Sequence, residues 1–292
     1  MELHNPKCAA QHIDTWMVEP EWFANALSTI KAGLWPIRAA APIIPDTSET
    51  IDEYFEVTRD GIAIVSLKGP LMKPWSKYGG TSTVFARKMI RDSVSAGNVS
   101  GIMLHIDSPG GTVSGTHDLA LEIQRAAKAK PVFAHIDDLG ASAAYWVASQ
   151  AQKVTANATA LVGSIGTYSV VHDMSGQADM LGIKVHVIST GAFKGAGIPG
   201  TEITEDQLAE MQARVDDLNE FFLRGVSNGR DMDREELNKI ADGRVFIASK
   251  ARSFGLVDKV THFSKAYDDF AAFIKRADRQ RKVSADVRGS RV

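Results

Sequence analysis

A serine at the entrance to a predicted helix is the residue best placed for chemistry in this sequence. Ser142 stands in Asp-Leu-Gly-Ala-Ser-Ala-Ala-Tyr-Trp, a stretch that predicts a tight turn opening into a short buried helix. Gly140 gives this turn backbone freedom. The hydroxyl could cap the helix, which is the commoner role. Alternatively, it could be a nucleophile whose oxyanion lies against the free N–H groups of the first turn.

A lysine among small residues is the second candidate. Lys194 stands in Ser-Thr-Gly-Ala-Phe-Lys-Gly-Ala-Gly, directly after a strand predicted over 184–188. Most lysines are surface charges. A lysine that is desolvated beside a serine, however, can lose its proton and act as a base that activates the hydroxyl. The two residues could therefore form a nucleophile and its base.

Two glycine-containing turns could complete such a site. Asp107–Gly111 reads Asp-Ser-Pro-Gly-Gly and follows a predicted buried strand, so its N–H groups could form a concavity for negative charge. This turn also has a purely structural interpretation, as an ordinary connection between a strand and a helix. The stretch Leu-Val-Gly-Ser-Ile-Gly places Ser164 in an apolar turn, which taken alone predicts a structural role.

Composition excludes several classes of protein. The chain has 292 residues, 44% hydrophobic and 23% charged, with a formal net charge of -2, so bulk charge gives no reason to expect nucleic acid as a partner. Cys8 is the single cysteine, which rules out an intrachain disulfide. We see no signal peptide and no apolar run of the ~18–20 residues that a membrane span needs. No metal or cofactor is expected, and we predict a soluble, cytoplasmic protein without a membrane anchor.

Alternation of apolar strands and helices predicts the fold class. Strands are expected over 61–67, 101–107 and 131–136, separated by helices, and a long amphipathic helix is expected from Thr204 to about Val226. This order is typical of an α/β protein with a mostly parallel sheet flanked by helices. In such sheets, sites form beyond the carboxyl ends of the strands.

The chain divides into three predicted parts. Residues 1–57 form an N-terminal arm with a helix starting near Glu19 and a proline-rich linker; we expect a packing arm, with a pro-segment or a lid as the alternative. Residues 58–275 form the main domain. Residues 276–292 are basic and lack apolar periodicity, which predicts a disordered, solubilising tail. Contact of this tail with an acidic partner or nucleic acid is the less favoured interpretation.

Four segments together resemble a known family. Asp107–Gly111, the small-residue turn around Ser142, Gly163–Gly166, and Lys194 in its Gly/Ala loop have the order and spacing of the signal peptide peptidase A family. These are Ser–Lys serine peptidases of the crotonase/Clp-protease superfamily. The resemblance covers roughly residues 58–262. It implies a mostly parallel sheet of repeated β-β-α units flanked by helices, with a long C-terminal helical region.

The resemblance also implies roles. Ser142 would be the nucleophile, Lys194 the general base, and Ser164 the hydroxyl that orients the lysine amine. Backbone N–H groups would form the oxyanion hole, namely those of Gly110 or Gly111 together with Ala143. Ala143 and Ala144 stand where the family commonly has glycines, which could narrow the site. Family members assemble as rings, so a ring-shaped homo-oligomer is implied.

One branch of the family is more similar than the others. The opening Trp16–Pro20 and the apparent lack of an anchor resemble the soluble bacteriophage head-maturation proteases, which process scaffold and capsid proteins. This implies a protein substrate, and a location in the host cytoplasm or the procapsid interior. The alternative is a soluble bacterial protease, similar to signal peptide peptidases, that degrades peptides.

Three further interpretations stay open at this point. A Ser-His-Asp triad could use His172, which lies downstream of Ser142, whereas His105 and His135 lie on apolar strands and are expected to be hydrogen-bonded core residues. A crotonase-type acyl-CoA enzyme would need acid/base carboxylates, which are not evident. An inactive scaffold protein would need none of these groups.

Overall fold

The computed structural model describes residues 16–18, 20, 55–74 and 79–289. Apart from Pro20, the predicted helix starting near Glu19 and the proline-rich linker lie outside these residues. Twelve strands are described: β1 Trp16–Val18, β2 Phe55–Val57, β3 Ile62–Lys68, β4 Leu71–Met72, β5 Thr81–Ser82, β6 Gly101–Ser108, β7 Gly110–Thr112, β8 Val132–Ala141, β9 Lys153–Ala156, β10 Leu161–Gly163, β11 Val245–Ile247 and β12 Lys259–Val260. The described helices are α1 Thr83–Ser95, α2 Thr116–Ala129, α3 Ala143–Ala148, α4 Ser175–Met180, α5 Glu205–Arg230, α6 Arg234–Asn238, α7 Ala248–Ser253 and α8 Phe263–Gly289.

The main sheet is mostly parallel, as the sequence predicts. β3, β6 and β8 pair in parallel, and β8 also pairs in parallel with β9 and β10. The antiparallel strands β2 and β11 pair with β3 and β10. The predicted strands at 61–67, 101–107 and 131–136 are the three long central ones. Their apolar runs are buried on both faces, which is typical of a parallel sheet covered by helices.

A second, smaller sheet branches from the carboxyl end of β6. Its order is β1-β7-β4-β5, with β4 parallel to β7 and β1 antiparallel to it. β7 contains Gly110 and Gly111, so the small sheet positions the predicted anion-binding turn. The close pairing needs a glycine, because a Cβ at Gly111 would lie 1.8 Å from the Leu71 carbonyl oxygen.

Helices cover the two faces of the main sheet. The larger core lies on the side of α1, α2, α3 and α5 and includes Ile102, Leu104 and Ile106 from alternate positions of β6. On the other side, α8 packs Phe270 and Ile274 against Met103 and Phe133 in a second cluster. The predicted long helix is confirmed as α5, which begins with a capping box between Thr204 and Gln207.

Two predictions about local structure are wrong. Residues 184–188 form no strand, because this exposed segment has no neighbouring strand in the described part of the chain to pair with. The basic tail predicted to be disordered from residue 276 is helical to Gly289, as the continuation of α8. Its first turns pack on the sheet, and Ala, Arg, Lys and Gln then favour continuation of a helix.

Candidate active site

Ser142 has a strained backbone at the entrance to α3. Its φ is 53° and its ψ is -122°, a conformation that side chains with a Cβ seldom adopt. The hydroxyl makes no capping hydrogen bond to the helix, which excludes the commoner role considered from the sequence. The residue is 1% exposed, and its Oγ has no hydrogen-bond partner among the described residues. A buried hydroxyl left unused in this way is available for another task.

The strained turn is held from both sides. The Ser142 N–H donates to the Gly163 carbonyl at 2.7 Å, and the Ser142 carbonyl accepts from the Trp146 N–H at 3.0 Å. All six residues of α3 are buried. Its Trp146 packs so closely on α5 that a Cβ at Gly225 would lie 2.0 Å from the indole nitrogen. Because the helix cannot shift easily, the position of Ser142 is fixed.

Ser164 lies next to this turn. β8 and β10 pair so that Ala141 is opposite Gly163, and Ser142 and Ser164 are the residues that follow. Ser164 is buried and also has a positive φ, 49°. Its N–H donates to the Arg244 carbonyl at 2.7 Å. The structure therefore brings together two serines that the sequence places 22 positions apart.

The segment at 243–244 supports the site, a role that the sequence did not predict. Besides the bond from Ser164, the Gly243 N–H donates to the Ile165 carbonyl at 3.1 Å. A Cβ at Gly163 would lie 2.9 Å from the Arg244 carbonyl oxygen. These contacts involve backbone atoms, so the signal in the sequence is limited to the turn-forming pair Asp242-Gly243.

The predicted oxyanion donors are close together. Gly110 has a φ of 97°, and a Cβ built on it would lie 2.9 Å from the Ala143 nitrogen. Ala143 is the first residue of α3, so its N–H has no acceptor within the helix. Gly110 therefore lies beside the N–H of the residue that follows Ser142, while the Gly110 N–H itself donates to Ser108 Oγ at 3.2 Å. This arrangement could stabilise an oxyanion that forms on a substrate attacked by the serine.

Lys194 is not brought to the serine within the described chain. Its side chain is exposed, and its N–H donates to the Gly191 carbonyl at 3.0 Å in a turn. The unpartnered Ser142 Oγ accepts no hydrogen bond from it. The expected burial of this lysine is therefore not seen in a single chain.

The histidines do not form a triad with Ser142. His172 is exposed, and the Ser142 Oγ has no hydrogen bond to any described residue. His105 pairs with Asp137 across neighbouring strands, and His135 Nδ1 lies 2.9 Å from Thr155 Oγ1. As expected for hydrogen-bonded core residues, both lie on the face that α8 covers, where Phe263 contacts their rings.

The buried His135 predicts acid sensitivity. Burial lowers the pKa of His135 from 6.5 to about 4, although the Asp137 carboxylate opposes this. Below pH 6.5, His135 therefore binds a proton in the unfolded chain, whereas in the folded chain it binds one only near pH 4 and below. We expect this group to lower the free energy of unfolding by about 3 kcal/mol between pH 7 and pH 4.

Urea unfolding of the wild type and of His135→Asn at both pH values tests this prediction. The variant should lose less free energy of unfolding over the interval, whatever its baseline stability. His186→Asn, at an exposed histidine, is the matched control and should retain the wild-type difference. An equal acid sensitivity in His135→Asn and the wild type would contradict the assignment.

The fold and site define an α/β protein with a strained, buried serine beside a set of backbone donors. The family model for peptidase family S49 matches residues 124–276, a range that includes Ser142, Ser164 and Lys194. The chain belongs to peptidase family S49.

Curated relatives agree with this membership. A putative protease of Methanocaldococcus jannaschii is 33% identical over 56% of this chain and 52% of its own length. Protease 4 of Salmonella typhi is 28% identical over 73% of this chain and 35% of its own length. Capsid assembly protease C of Escherichia phage lambda is 28% identical over 71% of this chain and 48% of its own length. The matches thus cover about half or less of these relatives.

Within the described residues, no helix combines the length and the apolar character that a transmembrane span needs.

Proposed function

We propose that this protein is a serine endopeptidase with a Ser–Lys dyad, in which Ser142 is the nucleophile and Lys194 the general base. The observation that carries the proposal is the strained Ser142, whose buried hydroxyl caps nothing and has no hydrogen-bond partner among the described residues. Membership of peptidase family S49 supports the same reaction class. A Clp-type arrangement of repeated β-β-α units is the fold we propose for this reaction.

The proposed reaction passes through an acyl-enzyme. The neutral Lys194 amine takes the proton from Ser142 as its Oγ attacks the carbonyl carbon of the scissile bond. The N–H groups of Gly110 or Gly111 and of Ala143 stabilise the oxyanion. The lysine then returns the proton to the leaving amine, and water hydrolyses the acyl-serine by the same steps. Ser164 orients the amine by a hydrogen bond.

Assembly of several chains would complete this site. Lys194 lies on an arm, residues 174–208, whose surface exposes large apolar side chains: Met174, Met180, Leu181, Ile183, Val187, Ile188, Phe193, Ile198 and Leu208. Ile188 is 99% exposed, which is costly for an apolar side chain in water. We propose a ring-shaped homo-oligomer in which this arm packs on a neighbouring chain and delivers Lys194 to a site there.

We propose that the substrates are proteins and that the protein acts in the cytoplasm. Two relatives are named for phage assembly: capsid assembly protease C, and head-tail preconnector protein GP5 of Enterobacteria phage P21. Each covers 71% of this chain. We propose a role in processing scaffold or capsid proteins during head maturation. The similarity to Protease 4 favours peptide degradation as the second candidate.

Incubation with an unfolded protein and with a candidate scaffold protein tests the activity. The wild type should release peptides that mass spectrometry identifies, and Ser142→Ala should reduce the rate by a factor on the order of 10³ or more. Ser93→Ala is the matched control, because Ser93 is also buried but its hydroxyl donates to the Met89 carbonyl in its own helix.

Two outcomes would reject the assignment. If the wild type and Ser142→Ala cut at equal rates, Ser142 is not the nucleophile. If both leave every protein intact while the wild type turns over acyl-CoA thioesters, the crotonase-type alternative is favoured instead.

A further inference from the structure

The N-terminal strand β1 occupies one edge of the strand that carries the proposed oxyanion donors. β7 has two edges: β4 pairs with one in parallel, and β1 pairs with the other antiparallel. In this pairing Met17 lies opposite Gly111, and Val18 opposite Gly110. Since β1 is the last strand in its sheet, the outer edge of β7 is covered by the chain's own N-terminal segment.

This strand lies directly against the donors. The Met17 carbonyl oxygen is 2.2 Å from the position of a Cβ built on Gly110, and the Ala143 nitrogen is 2.9 Å from the same point. A protein carbonyl therefore lies close to where the proposed mechanism needs the carbonyl of a substrate. Met17 is fully buried and Val18 is 2% exposed, so both side chains pack into the fold.

β1 fills a sheet edge of the kind that an extended peptide can use. Extended peptides commonly bind by adding a strand to an exposed sheet edge, where main-chain hydrogen bonds supply affinity. The outer edge of β7, which carries Gly110 and Gly111, would offer such a peptide a place beside the site. In the folded chain, which includes β1, Ser142 is 1% exposed and its Oγ is buried.

We infer that residues 16–18 are an inhibitory segment, which occupies the edge of β7 that binds an extended peptide and closes the site until the segment leaves. The inference rests on the proposed peptidase function, since it assigns a regulator to the same site. β1 is suited to reversible release, because its three residues pair with a single strand in the part of the chain that the structure describes. A peptide that replaces β1 would be extended and would bury an apolar side chain where Met17 lies.

Thiol labelling measures this closure without any peptidase activity. The parent protein carries Cys8→Ser, which removes the single native thiol, and Ser142→Cys, which places a thiol at the site. This introduced thiol should react with iodoacetamide at least about tenfold more slowly than the same protein unfolded in urea, because the site is sealed. Addition of Met17→Ala should raise the rate by about tenfold or more, since it removes the side chain that seats β1.

Met89→Ala is the matched control. Met89 is buried in the same core cluster as Met17, but it lies on α1 and not on β1. Its loss should leave the labelling rate of the introduced thiol within about twofold of the parent. Val18→Thr is a second variant, which retains the side-chain volume but buries a hydroxyl, and it should also accelerate labelling.

The outcomes separate this inference from the proposed function. If the introduced thiol in the parent reacts as fast as in urea, or if folded Met17→Ala and Val18→Thr both label at the parent rate, β1 does not close the site. Equal acceleration by Met17→Ala and Met89→Ala would show general loosening and would also overturn the inference. The peptidase proposal fails separately, in the comparison of the wild type with Ser142→Ala.

Discussion

Mixing Ser142→Ala protein with Lys194→Ala protein should restore peptidase activity, although each variant alone is inactive. In a single chain the Ser142 Oγ has no partner among the described residues, while Lys194 is exposed on an apolar arm. A dyad assembled between neighbours needs an intact serine from one chain and an intact lysine from another. After random exchange of subunits, about a quarter of the sites would hold both, so about a quarter of the wild-type rate is expected.

The controls for this experiment test whether subunits exchange between assemblies and whether loss of any lysine charge on the arm is enough to abolish activity. Each variant alone should lose a factor on the order of 10³ or more in rate. Lys184→Ala removes another exposed lysine of the same arm and should retain activity. Mass spectrometry of intact assemblies verifies that the two variants have mixed. Mixed assemblies without activity would contradict a dyad shared between chains.

Gly111→Ala should destabilise the folded chain by about 3 kcal/mol or more, because overpacking against a rigid neighbour has no easy relief. The new Cβ would lie 1.8 Å from the Leu71 carbonyl oxygen and 2.7 Å from the Leu71 nitrogen. Both are backbone atoms of β4, so relief requires β4 and β7 to separate. Such a separation also moves the N–H of Gly111, and activity should fall in whatever fraction stays folded.

Urea unfolding measures this effect. Gly97→Ala is the matched control, since a Cβ there meets nothing within 4 Å, and its stability should stay within about 0.5 kcal/mol of the wild type. A Gly111→Ala protein as stable as Gly97→Ala would mean that the tight contact between β4 and β7 does not exist in solution.

Much of the fold follows from local patterns in the sequence. Buried apolar runs bounded by turn residues identify β3, β6 and β8, and a capping pattern identifies the start of α5. The turns at Gly110 and Ser142 could also be predicted, because strands of a parallel sheet end at one edge and place the following residues together. The glycine–serine pair Gly163-Ser164 joins them through the pairing of β8 with β10.

Other parts of the site lack such a pattern. β1 and the segment at 243–244 are held by backbone hydrogen bonds and close approach, which many side chains would allow. The strand predicted at 184–188 shows the opposite case: its composition favours a strand, but a strand also needs a partner. Lys194 on the same arm is exposed in the single chain, and only the proposed assembly would bring it to Ser142.

Two backbone hydrogen bonds join parts of the site that are synthesised at different times. Ser164 donates to Arg244, and Gly243 donates to Ile165. Ser164 and Ile165 bond to residues that the ribosome adds about 80 positions later. A nascent chain that has emerged only as far as α3 therefore has its serine but not the backbone that fixes the neighbouring turn. In the proposed mechanism, the site is therefore complete only after the segment at 243–244 has been synthesised.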